Sequence, residues 1–166
     1  ESPHRAKLTE EQAGCIAFCL DTREKLVTEL LEDELATVAE LVEQRWWLHD
    51  PATLNPVASC RIDWAGINGT RMLILDWKFG RREVAPADVN YQLRFAAAAA
   101  WSEYAPATVF VGIVAPRADG ERVTVARFTA EQCEAARAEM LAGAIRAMQP
   151  GQLRRPSSGA CHYCKA

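Results

Sequence analysis

Apolar positions recur at Ile16, Leu20, Val27, Leu30 and Leu31, the spacing of one helix face, and predict a helix from about Glu10 to near Asp33. Thr9-Glu10-Glu11-Gln12 has the form of a capping box at its start. Leu35, Val38, Leu41 and Val42 continue the helical spacing, whereas Glu43 to Leu48 reads as extended, so helix is expected to give way to strand. His49-Asp50-Pro51 and Asn55-Pro56 mark a loop, because proline ends regular structure and restrains its predecessor. Cys60 to Ile67 and Arg71 to Lys78 then flank Asn68-Gly69, a strong hairpin signal. Met72-Leu73-Ile74-Leu75 is continuously apolar, as a central strand covered on both faces would be. Pro86 to Tyr104 reads as a helix, with Ala96 to Ala100 supplying propensity and a closely packing surface. Thr108 to Val114 and Arg122 to Phe128 read as strands joined through Asp119-Gly120. Thr129-Ala130-Glu131-Gln132 repeats the capping box and begins a last helix, stopped by Pro150-Gly151. The predicted class is α/β with a mixed sheet, in the order α-β-β-β-α-β-β-α.

A chain of 166 residues is long enough to bury a core without disulfides. The expected division is a core over residues 1–150 and a tail over 151–166, rich in Arg, Pro, Ser and Gly. No internal repeat is visible. With 49% hydrophobic and 25% charged residues, the composition argues against disorder. No apolar run has the length of a membrane span and no signal peptide opens the chain; a soluble, intracellular protein of the cytoplasm is expected. The formal charge of −3 provides no global basic field for nucleic acid. A locally basic cleft is compatible with it, and Arg71, Arg81, Arg82 and Arg94 are candidate DNA contacts by their closeness to the site below. Six cysteines at irregular spacing (Cys15, Cys19, Cys60, Cys133, Cys161, Cys164) do not form a secreted disulfide framework. Most read as buried thiols.

Chemistry concentrates on Leu75-Asp76-Trp77-Lys78. Residues two apart on a strand share a face, so Asp76 and Lys78 project together. Asp63 lies on the neighbouring hairpin strand, near Lys78 or Asp76 within a residue or two of register. Two carboxylates beside a lysine are what magnesium-assisted hydrolysis of a phosphodiester requires, since hard oxygens hold the hard cation and leave room for water and phosphate. Asp63 and Asp76 would be the ligands of Mg2+ or Mn2+, with the Trp77 carbonyl as a third oxygen. Lys78 would meet the attacking water or the phosphate charge. The plain alternative is a cross-strand ion pair of little energetic weight. Trp46, Trp47, Trp64, Trp77 and Trp101 are available for stacking on bases, although tryptophans in a domain of this size usually sit in the core.

Asp63, the hairpin, Leu75-Asp76-Trp77-Lys78-Phe79-Gly80 and Asn90-Tyr91-Gln92-Leu93 together resemble the RecB-like branch of the PD-(D/E)XK nucleases, in particular a phage-associated exonuclease group related to the CRISPR nuclease of that branch. The resemblance covers nearly the whole chain and implies a restriction-endonuclease-like core with Asp63, Asp76 and Lys78 at the metal site. It adds Gln92 as a catalytic glutamine and Glu43 as an accessory acid. The family's Gln-Leu-x-x-Tyr is here Gln92-Leu93 followed by Ala96, so that hydroxyl is missing, and Cys60 stands where a glycine is common. Relatives carry a His or Glu ligand on an earlier helix, for which His4 is a weak counterpart. They also close an iron–sulfur cluster with one amino-terminal and three carboxyl-terminal cysteines. Cys161 and Cys164 in Cys161-His162-Tyr163-Cys164 match part of that set, implying a cluster incomplete in this chain.

The function expected on this reading is a Mg2+- or Mn2+-dependent deoxyribonuclease, of exonuclease type, acting on phage or bacterial DNA, with a phage recombination protein as a possible partner. A second expectation is a catalytically silent nuclease-like module that binds DNA or scaffolds a recombination complex. A third, resting on Cys161 and Cys164 alone, is a cysteine-anchored metal-binding domain.

Overall fold

A computed structural model describes residues 7–151. The first helix, α1 (Glu10–Leu26), opens with the expected reciprocal cap: Thr9 Oγ1 accepts from the Gln12 amide and Gln12 Oε1 from the Thr9 amide. It passes into a π-turn over Val27–Leu31 that ends at Glu32, whose φ of 56° reverses the chain. The helical periodicity therefore carries through Leu31, as the apolar spacing implied.

The next segment departs from the expectation. Leu35–Thr37 makes only a short 3-10 turn, and β1 (Ala39–Val42) follows where the pattern suggested continuing helix. β2 (Arg45–His49) and β3 (Pro56–Arg61) pair antiparallel in a sheet of their own. β4 (Trp64–Asn68) and β5 (Arg71–Trp77) enter the main sheet. The strand expected over Cys60 to Ile67 is thus divided at Ile62-Asp63. Five strands, not three, precede α2 (Tyr91–Tyr104). β6 (Thr108–Val114), β7 (Val123–Thr129) and α3 (Ala130–Met148) complete the described elements.

The architecture is the mixed α/β class that the patterns predicted. The main sheet runs β1-β4-β5-β6-β7, antiparallel except for the β5–β6 pair. That parallel pair is joined through α2, as a crossover between parallel strands requires. β5 lies at the centre and its side chains alternate between two cores. Met72 and Ile74 pack in the cluster that includes α2, α3 and the small sheet; Leu73 and Leu75 pack against α1 and the π-turn. Burial on both faces is why this strand is apolar throughout until its last residues. In α2, Ala96 to Ala100 are all buried, the small side chains allowing close approach of the sheet and α3.

Two physical details correct the hairpin. Asn68 still pairs with Arg71, so the turn residues are Gly69-Thr70. Gly69, at φ 54°, takes the first central position, where glycine suits a two-residue hairpin. Asn68 instead donates its side-chain amide to the Leu31 carbonyl, 2.9 Å away, closing the end of the π-turn. Similarly, α2 begins at Tyr91, because Asn90 caps it by accepting from the Leu93 amide at 3.1 Å.

Candidate active site

The site grows out of the corner where the chain changes sheets. β1 pairs with β4 in the main sheet and β2 with β3 in the small one, so both connections, at Glu43-Gln44 and at Ile62-Asp63, must turn together. The Glu43 amide donates to the Asp63 carbonyl at 3.1 Å and the Ile62 amide to the Gln44 carbonyl at 2.9 Å, bracing the corner. Glu43 sits in the turn at φ 55°, not on a strand as the sequence suggested. Its carboxylate pairs with Arg61 at 2.6 Å.

Asp63 is released from the strand ladder by this corner. Its Oδ2 accepts from the Trp77 amide at 2.8 Å, replacing a backbone partner with a side chain. Trp64 pairs with Leu75, which brings Asp63 level with the end of β5, where Asp76 lies. Asp63 thus falls near Asp76, within the residue or two expected, although the turn that sets this register is Gly69-Thr70 and not Asn68-Gly69.

Asp76 is the one buried polar or charged side chain among the described residues, at 6% exposure. It belongs to the same face of β5 as Met72 and Ile74, which directs it toward α2. Its Oδ1 accepts from Gln92 Nε2 at 3.2 Å and its Oδ2 lies 2.6 Å from Lys78 Nζ. Lys78 Nζ also donates to Gln92 Oε1 at 3.3 Å. Asp76, Lys78 and Gln92 therefore form a closed triangle, with Asp63 attached through the Trp77 backbone.

Burial pushes the Asp76 carboxyl above its ordinary range, and nearby Asp63 adds to the rise. The ammonium of Lys78 and the amide of Gln92 pull in the opposite direction without cancelling it. Taking a carboxylate out of water is costly unless cations and donors compensate. Asp76 Oδ2 has the Lys78 ion pair but no hydrogen bond of good geometry. A buried, under-satisfied carboxylate oxygen suits a cation.

Among the described residues, no group of three or more His, Cys, Asp or Glu side chains is placed to hold a metal ion. A donor set of two carboxylates and a backbone carbonyl still fits magnesium, which is bound through one or two carboxylates and keeps waters and substrate oxygens around it. Cys60 lines a crevice beside Asp76, but burial pushes its thiol up to about 11, so it stays protonated and is a poor ligand.

The arginines divide. Arg71 is at the opposite end of β5, roughly 20 Å from Trp77 at strand rise, where it meets the Leu30 carbonyl and Glu32. Arg94 spans from α2 to Glu139 of α3 at 2.5 Å. Neither joins the Asp63–Asp76–Lys78 constellation, because sequence proximity does not survive the length of a strand or the turn of a helix. Arg81 and Arg82 border a cleft of about 580 Å³ that also includes Ile113, Asp119 and Glu121. Arg81 pairs with Glu11 of α1 at 3.3 Å. Of the tryptophans, Trp46 and Trp64 are core residues, and Trp47 is exposed under Arg45. Ala96, in the position of the missing tyrosine, is buried. His4, Cys161 and Cys164 lie outside the described residues.

Sequence reasoning missed the corner and the cap. Asn90 immediately before Tyr91-Gln92-Leu93 was a readable signal for a helix start that aims Gln92 at Asp76. Nothing in the local pattern signalled that β3 and β4 belong to different sheets.

Helices on both faces of a mixed sheet, with an acid at the sheet corner and Asp-x-Lys at the end of the central strand, make up the fold and its candidate site. The family model of the PD-(D/E)XK nuclease superfamily matches residues 23–166, and the chain belongs to that superfamily. Members of that superfamily are nucleases and generally use divalent metals such as Mg2+. The crystal structure of SSO0001 is similar at a TM-score of 0.47 and 10% identity, covering 92% of this chain and 65% of that one. The chain thus spans 65% of the length of that structure. No curated protein matches the chain. No described helix is long and apolar enough to cross a membrane.

Proposed function

We propose that the chain is a divalent-metal-dependent deoxyribonuclease of the RecB-like branch, acting as an exonuclease on phage or bacterial DNA. The observation that carries this reading is the buried Asp76, held by Lys78 and Gln92 beside an Asp63 freed from its ladder. Asp63 and Asp76, with the Trp77 carbonyl, are the proposed ligands of Mg2+ or Mn2+. When bound, the ion supplies Lewis-acid polarisation of the phosphodiester and offsets its negative charge.

The chain's own groups do the remaining work. Lys78 offers its ammonium to the attacking water or to charge developing on the phosphate, a preorganised donor where charge appears. Gln92 holds Asp76 and Lys78 in one geometry, so the amine is positioned before substrate arrives. Asp63 ties the Trp77 amide and keeps the strand end aligned with the corner. Glu43 is an accessory acid at that corner, and Arg81 and Arg82 are the proposed backbone contacts nearest the site. Residues 1–150 form the proposed nuclease core. A phage recombination protein is the proposed partner, and Cys161 and Cys164 are proposed as part of an iron–sulfur site. Brown colour and visible absorbance of anaerobically purified protein would support the cluster; a colourless, iron-free protein would remove it.

The buried Ala96, which brings no hydroxyl to the site, favours a second reading, a silent nuclease-like module that binds DNA. Incubation of end-labelled linear and closed circular DNA with Mg2+ or Mn2+, against chelator, separates the two. Metal-dependent loss of label from linear DNA, with the circle intact, is expected of the exonuclease. Cutting of the circle would replace exonuclease with endonuclease action. Binding without cleavage of either substrate would leave the silent module.

A further inference from the structure

Two exposed aromatic rings are attached next to the side chains that hold Asp76. Phe79 directly follows Lys78 and is 44% exposed; Tyr91 directly precedes Gln92 and is 60% exposed. Lys78 and Gln92 touch each other as well as Asp76, so each ring is anchored one residue from the candidate centre. Neither ring belongs to the two core clusters. Among the described residues, neither makes a ring contact or a cation–π contact, and the Tyr91 hydroxyl has no hydrogen-bond partner. Val89, between them in sequence and 68% exposed, adds a third apolar side chain to the same segment. Isolated exposed apolar residues are ordinary. Three within the segment from Phe79 to Tyr91, which runs from Lys78 to Gln92, form a local concentration that packing does not explain.

We infer that Phe79 and Tyr91 are base-stacking residues that seat the nucleotides flanking the cleaved phosphodiester and confer a preference for unpaired strand. This rests on the nuclease reading given above. A base presents its flat face only when freed from its neighbours, and aromatic side chains receive any base on that face irrespective of sequence. In a duplex those faces are already occupied by base stacking. The phosphates between seated bases would then lie toward Lys78, with Arg81 following in the same loop. No hydrogen bond from Tyr91 is required, because the ring and not the hydroxyl supplies the contact.

The test measures binding and cleavage separately. Labelled oligothymidine and a duplex of equal length are titrated with wild type, Phe79→Ala, Tyr91→Ala and the double variant, using Ca2+ in place of Mg2+ to suppress cleavage; initial cleavage rates are then taken in Mn2+. Each alanine is expected to weaken single-strand binding about five- to hundredfold, the range for loss of one stacked base. Duplex binding should change less than twofold. Tyr91→Phe should retain wild-type affinity, while Phe79→Leu, similar in bulk without a π-face, should lose it. Both rings are exposed, so melting temperatures should stay unchanged and exclude misfolding. Wild-type single-strand affinity in the double variant, while Lys78→Ala remains inactive, would overturn the stacking role and leave the nuclease reading standing. Equal losses on single strand and duplex would also overturn it. A wild type that neither binds nor cuts DNA would remove both.

Discussion

At the start of β5, Arg71 meets Glu32 across 2.6 Å; at its end, Lys78 meets Asp76 across the same distance. The two pairs differ in what surrounds them. Side-chain exposure is 39% and 69% for Arg71 and Glu32, against 29% and 8% for Lys78 and Asp76. The first pair keeps both partners in water, where an ion pair is worth ~0–1 kcal/mol. The second has placed its carboxylate under α2, where desolvation raises its pKa even with a lysine beside it. Burial separates a surface ion pair from the carboxylate proposed to receive a cation.

The largest effect expected from breaking that contrast is at Asp76. Asp76→Asn keeps an acceptor for Gln92 but removes the charge, and should abolish metal-dependent cleavage. Measured in chelator at pH 8, the same variant should melt higher, because a neutral amide does not carry the cost of burying a carboxylate. The pH dependence has a definite sign. Asp76 has a folded pKa above 3.8, so the folded state holds this proton more tightly than the unfolded one. Its contribution to stability is therefore lost as pH rises from 3.8 through the folded value. The melting advantage of Asp76→Asn should shrink on acidification and vanish below about that lower limit. A constant advantage across pH would mean that charge burial is not its source.

Asp63→Asn comes next. The Asn oxygen can still accept from the Trp77 amide, so the corner should hold while Mn2+ affinity by calorimetry falls at least tenfold. Unchanged affinity would remove Asp63 from the ligand set. Gln92→Ala should then reduce the cleavage rate roughly tenfold, with a stability change of about 1 kcal/mol or less, because it orients the charged pair without carrying charge. Smallest of all, Glu32→Gln at the other end of β5 should leave cleavage unchanged and alter stability by less than ~0.5 kcal/mol. A comparable activity loss there would mean that the two ends of the strand are not functionally distinct.

How much of this was legible in the sequence follows from which interactions are local. The helix caps at Thr9 and Thr129 formed as read, because each is settled within three residues. Met72 to Leu75 announced a strand buried on both faces, and Asp76 and Lys78 shared a face by period-two geometry alone. The misplaced hairpin turn shows a longer-range influence: Asn68 extends the strand and caps a helix end instead of supplying positive φ. The helix expected through Val42 gave way to β1 because that segment finds a partner in β4, a pairing invisible to helical periodicity. The division at Asp63 was hidden for the same reason. It depends on Glu43 and Gln44 meeting Ile62 and Asp63 from a distant stretch of chain, and this corner turns an ordinary strand aspartate into a candidate ligand.

The most direct test of the Asp63–Asp76–Lys78 centre is single-turnover cleavage of end-labelled linear DNA in Mn2+ by wild type and Lys78→Ala, with melting curves of both. Loss of the lysine should lower the rate roughly a hundred- to a thousandfold, the scale for removing one preorganised charge-stabilising donor, while the variant remains folded. Metal-dependent cleavage at the wild-type rate in a folded Lys78→Ala protein would contradict the assignment of this centre as the site of hydrolysis.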